Sequence, residues 1–131
     1  MIESIISMEL PAGGHLAIRR NRICPKQETK QCRRISLVSG IHGDELEGQY
    51  ICYETARRVK EHPEYLKGIV DIYPALNPLG IDMASRTVPR LEMDMNRMFP
   101  GDASGGYDGA DHCSSGGFHY WIGYLHGSAC Q

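Results

Sequence analysis

At 131 residues the chain is long enough to bury a core and short enough to be one domain at most. Its 41% hydrophobic and 23% charged content is ordinary for a globular protein, and a net charge of −2 with a pI near 6.3 leaves no electrostatic footprint for nucleic acid or an anionic membrane. No run approaches the roughly 18 apolar residues of a membrane span, Met1 to Glu9 lacks the basic start and long apolar run of a signal peptide, and five cysteines without a Cys-x-x-Cys argue against a disulfide framework and for a cytoplasmic setting.

Along the chain, Ser4 to Leu10 and His15 to Ile23 read as extended segments flanking Pro11-Ala12-Gly13-Gly14, a cluster that punctuates strands. Pro25 to Gln31 is polar and reads as a loop. Ile35 to Ile41 is a short apolar run interrupted by Gly40, which suits a buried strand. Glu45 to Lys60 lacks proline and places Leu46, Tyr50, Tyr53 and Val59 near helical spacing. Its acids come first and Arg57, Arg58 and Lys60 last, which complements a helix dipole. Gly68 to Leu76 reads as a second buried strand, closed by an Asn77-Pro78-Leu79-Gly80 turn. Strand, helix and strand in that order predict a right-handed βαβ unit with a parallel sheet. Sites in such sheets form beyond the carboxyl ends of strands, where His42 and Asn77 both fall.

Gly40-Ile41-His42-Gly43-Asp44-Glu45 holds His-x-x-Glu at the strand-to-helix junction. Zinc accepts an imidazole nitrogen and a carboxylate oxygen, and a catalytic zinc keeps three protein ligands and one open position. A loop histidine and a glutamate at the start of a helix can face one ion, with Gly43 permitting the tight path between them. The same four residues also suit a plain loop histidine followed by an acid that favours the helix dipole. His15 and His62 read as surface loop residues, and Asp44 as a support of the turn.

Downstream stand Asn77-Pro78-Leu79-Gly80, Arg86, and the run Asp94-Met95-Asn96-Arg97-Met98-Phe99-Pro100-Gly101. With Gly40 to Glu45, and in this order, they resemble the succinylglutamate desuccinylase/aspartoacylase family, most specifically from Ile35 to Asp102. The resemblance implies an α/β fold of the zinc-carboxypeptidase type, with a mostly parallel sheet flanked by helices and incomplete at the C-terminus. It implies one Zn2+ per complete site, with His42 and Glu45 as two of its ligands. Asn96 and Arg97 match the pair that holds a substrate carboxylate, a task suited to a planar guanidinium beside an amide. Arg86, with Arg90 as the competing position, matches the charge that binds or polarises the scissile acyl carbonyl. The implied activity is hydrolysis of the amide or ester bond of small N-acyl amino acids that carry a free carboxylate. A metallocarboxypeptidase-like peptidase and a non-catalytic fragment are the alternatives. The oligomeric state is open.

The family's third ligand, a histidine in an Asp-(Leu/Ile)-His motif, has no counterpart here, and neither does its later general-base glutamate. Residues 1–101 therefore read as the front part of a deacylase catalytic domain and 102–131 as a glycine-rich, disordered tail. From Gly101 onward the chain holds eight of its fifteen glycines and none of its fourteen Lys and Arg. An out-of-frame origin, from a frameshift in the gene or a sequencing error near Asp102 to Gly106, would account for that change. Read one nucleotide later, codons for Gly127-Ser128-Ala129-Cys130 permit Asp-Leu-His-Ala, and those for Tyr107 to His112 permit Met-Thr-Glu-Arg-Ile. The coding DNA decides it: no Asp-Leu-His triplets in the other frame would sink the idea.

Overall fold

The computed structural model describes residues 1–27, 32–89, 92 and 94–98. The tail at 102–131, and Arg90, lie outside the described residues. The chain divides into two units, Met1–Asp94 and Met95–Gln131.

In the first unit the strands run β1 (Ile2–Glu9), β2 (His15–Ile23), β3 (Arg34–Val38) and β4 (Ile69–Tyr73). The predicted N-terminal pair is an antiparallel hairpin around a 3-10 turn at Pro11–Gly13. Helix α1 (Glu47–Glu61) joins β3 to β4, which pair in parallel as the βαβ pattern requires. The sheet order is β1-β2-β4-β3. The expected mostly parallel sheet is thus corrected: among the described strands β1/β2 and β2/β4 are antiparallel, and only β3/β4 is parallel. A short loop between two extended segments permits only antiparallel return, and β2 then docks its far end, Asn21 to Ile23, along β4.

Helix α1 begins two residues later than its charge pattern suggested, with Leu46 at the N-cap and Glu45 still in the loop. Its buried face is also not the one the large apolar residues marked. Leu46, Tyr50 and Tyr53 are exposed, Tyr50 by 66%. Of the four expected residues Val59 does turn inward, and with Cys52 and Ala56, spaced i, i+4 and i+7, it packs in the cluster around Ile23 and Ile72 that Leu37 and Val70 also join. Small side chains let the helix approach the sheet closely. The Cys52 thiol is pushed up in pKa by burial, against a hydrogen bond with Ser39.

On the opposite face lies a charged centre. Asp71 of β4 is 1% exposed and accepts a two-pronged pair of hydrogen bonds from Arg22, 2.7 Å from Nε and 2.8 Å from Nη2. Arg34 and Arg20 stand 3.7 and 3.9 Å from the same carboxylate, and Arg20 also binds Glu3. Burial pushes the Asp71 carboxyl up, but the bonds from Arg22 and the charges of Arg20 and Arg34 pull it further down, below the usual carboxylate range. One buried anion therefore ties together β2, β3 and β4. No helix among the described residues is long and apolar enough to cross a membrane.

Candidate active site

The loops that follow β3 and β4 interlock, and the candidate site is built on that contact. After β3 the chain turns at Gly40, whose φ of +66° lies in the left-handed region that glycine alone adopts freely. The carbonyl of Gly40 accepts from the amide of Asn77 at 2.8 Å. Three residues later Gly43 lies directly on Gly80. A methyl group added at Gly43 would overlap the Gly80 carbonyl and the Ile81 amide nitrogen.

The predicted Asn77–Gly80 turn is in fact the start of a one-turn helix, α2 (Pro78–Asp82). Asn77 is its N-cap, with Oδ1 accepting from the Gly80 amide at 2.9 Å, and Pro78 occupies the first helical position, where its missing N–H costs nothing. The Asn77 side chain is almost wholly buried, and its Nδ2 donates to the carbonyls of Ile41, at 3.3 Å, and Thr87, at 3.2 Å. One amide thus clamps the residue before His42 to the residue after Arg86. The Gly43 amide donates to the Ser85 carbonyl at 2.9 Å, a second tie between the same two loops.

These ties bring four side chains together. The imidazole of His42, 6% exposed, has Nδ1 3.0 Å from Glu45 Oε1 and Nε2 3.0 Å from Asp94 Oδ1. Arg86 closes the ring: Nη1 is 3.1 Å from the same Glu45 oxygen and Nε is 3.6 Å from Asp94 Oδ2. Glu45 is 58% exposed and Arg86 52%, so one side of the ring opens to solvent. Asp94 was not assigned a role from sequence. It lies 52 residues from His42, and no periodicity links the two. Its one sequence signal is its place at the head of the Asp94 to Gly101 run. Asn96 and Arg97 lie on a 3-10 turn, Met95–Met98, in the second unit.

The donor set can be tested for a cation. A neutral imidazole carries one N–H, and here both ring nitrogens face a carboxylate oxygen at 3.0 Å. Whichever oxygen receives that hydrogen, the other opposes a lone pair. A second proton relieves the opposition, and so does a cation beside the free nitrogen. Metal-bound histidines characteristically donate their other N–H to a carboxylate, the place Asp94 holds at Nε2. That leaves Nδ1 and the exposed Glu45 for an ion. Two ligands of a tetrahedral zinc stand about 3.4 Å apart, given bonds of about 2.0–2.2 Å. The 3.0 Å between Nδ1 and Oε1 is within a few tenths of that. The pair fits as half a site. Among the described residues no group of three His, Cys, Asp or Glu could hold a metal ion.

Comparison with known proteins now adds a decisive observation. The model of the succinylglutamate desuccinylase/aspartoacylase catalytic domain matches residues 31–115, more than half of the chain. The chain belongs to this family. It superposes on a succinylglutamate desuccinylase/aspartoacylase from Rhodobacter sphaeroides with a TM-score of 0.67 and 26% identity, over 97% of this chain and 35% of that one. The ectoine utilization protein EutE (DoeB) from Ruegeria pomeroyi gives 0.66 and 24%, over 95% and 34%. An aspartoacylase family protein from Mesorhizobium loti gives 0.59 and 24%, over 78% and 31%. The α/β fold is therefore shared with these structures, and the chain spans about a third of their length. No curated protein matches it significantly.

Proposed function

We propose that the chain supplies the front part of a zinc-dependent deacylase that hydrolyses the amide or ester bond of small N-acyl amino acids. The observation that carries this reading is the bracketed imidazole of His42, with Glu45 on Nδ1 and Asp94 on Nε2, in a member of a deacylase family. His42 and Glu45 would hold the zinc. Bound there, zinc supplies a water of lowered pKa and a polarised acyl carbonyl.

The chain's own residues would do the rest that this part of the molecule can do. Asp94 keeps its hydrogen bond to Nε2 and so holds the imidazole with Nδ1 toward Glu45. Arg86, half exposed at the mouth of the ring, would present a fixed positive charge to the oxygen of the scissile acyl group. Asn96 and Arg97 would take the substrate carboxylate, the guanidinium by its planar fork and the amide by a directed bond. Among the described residues no group of three His, Cys, Asp or Glu could hold a metal ion, so no bond-breaking step is assigned to this chain alone.

An assay of the purified chain with zinc, on N-acyl amino acids and on peptides with a free C-terminal carboxylate, separates the readings. Hydrolysis of the N-acyl amino acids that His42→Ala abolishes supports the deacylase. Preference for peptides would replace it with a carboxypeptidase-like activity. Zinc binding that His42→Ala weakens, without turnover, fits a front part that holds only half of the metal site, whereas no zinc binding at all would identify a non-catalytic fragment.

A further inference from the structure

We infer that Arg86 is a built-in competitor for the metal half-site, holding Glu45 until a metal ion displaces it and freeing its own guanidinium by that exchange. The inference rests on the metal reading of His42 and Glu45 given above. A single oxygen, Glu45 Oε1, is shared: His42 Nδ1 lies 3.0 Å away and Arg86 Nη1 3.1 Å away. Through Nε the same guanidinium reaches Asp94 Oδ2 at 3.6 Å. One cationic side chain therefore spans both carboxylates that bracket the histidine.

That is the position in which positive charge is most useful while no metal is bound. Two carboxylates beside one imidazole repel each other, and the guanidinium screens them. When a dication takes Glu45, the guanidinium and the ion share one ligand oxygen and repel. Arg86 then leaves Glu45 and is available to a carbonyl or carboxylate at the mouth of the ring. Metal loading and substrate contact are coupled in this way through one side chain. The exchange is cheap because Arg86 and Glu45 are each more than half exposed, where an ion pair is weak and a long side chain moves without disturbing the core.

Zinc titrated into the 131-residue chain against a chelating indicator tests this, with circular dichroism checking that each variant keeps its fold. Arg86→Gln is expected to tighten zinc binding about fivefold at low salt, which is ~1 kcal/mol at 1.4 kcal/mol per tenfold. The gain should shrink in high salt, because the pair it removes is exposed and screened. Arg86→Lys should fall between the two, since an ammonium can hold one carboxylate but lacks the fork to span both. Unchanged or weaker binding by Arg86→Gln overturns the competition. Glu45→Gln distinguishes the failures: it should weaken zinc binding, and if it has no effect the metal half-site itself is wrong.

Discussion

Replacing Asp71 with Asn should cost about 3 kcal/mol of stability, the range expected when one member of a buried ion pair is removed and its partner left behind. Asp71 is 1% exposed, and its carboxylate lies within 4 Å of both Arg22 and Arg34. An asparagine fills the same space but cannot neutralise three arginines drawn from β2 and β3. Urea unfolding at neutral pH gives the measurement, read as a shift in midpoint at constant slope. A loss under 1 kcal/mol would show that the arginines are already solvated and that Asp71 does not hold the sheet together.

The same substitution should flatten the acid limb of the stability curve. The folded carboxyl of Asp71 lies below its unfolded value of about 3.9. Its contribution is therefore complete above that unfolded value and disappears as pH falls through the lower folded one. Between those two values the wild-type chain should lose stability more steeply than Asp71→Asn. Parallel curves over that window would mean that other carboxylates dominate acid unfolding.

Gly43→Ala should be nearly as costly, at about 3 kcal/mol, and should do more damage to the site. The added methyl group has no room, because it meets backbone atoms of Gly80 and Ile81 that cannot rotate aside as a side chain could. The two loops would have to separate. Separation breaks the Gly43 to Ser85 hydrogen bond and strains the Asn77 clamp on Ile41 and Thr87. His42 and Arg86 then move apart. Thermal unfolding and zinc titration of the variant should both fall short of wild type. Wild-type behaviour in both would mean that the loops are not pressed together at Gly43.

Much of this architecture was legible in the residues. The hairpin, the βαβ unit and the strand-to-helix position of His42 follow from turn clusters and apolar runs. The motif residues His42, Glu45 and Arg86 do meet. Three features were not legible, each for a physical reason. The apolar face of α1 was misread because Leu46, Tyr50 and Tyr53 are larger than Cys52 and Ala56, yet the smaller residues fit the close approach to the sheet. The sheet's antiparallel half depends on which edge of β4 the hairpin takes, a long-range choice that local pattern does not encode. Asp94 joins His42 only because two loops fold together, and although Asn77 reads in sequence as a turn residue at a site-forming strand end, its clamp on Ile41 and Thr87 is a long-range contact that local pattern does not encode.

The central claim is that His42 and Glu45 form half of a metal site, with Nδ1 as the ligating nitrogen and Nε2 held by Asp94. Nitrogen-15 resonances of the His42 ring, followed as zinc is added, test it most directly. The account predicts that Nδ1 shifts as metal binds while Nε2 keeps its proton and its bond to Asp94, and that Glu45→Gln weakens the change. A shift at Nε2 instead, or no shift at His42 while zinc binds elsewhere, would contradict it.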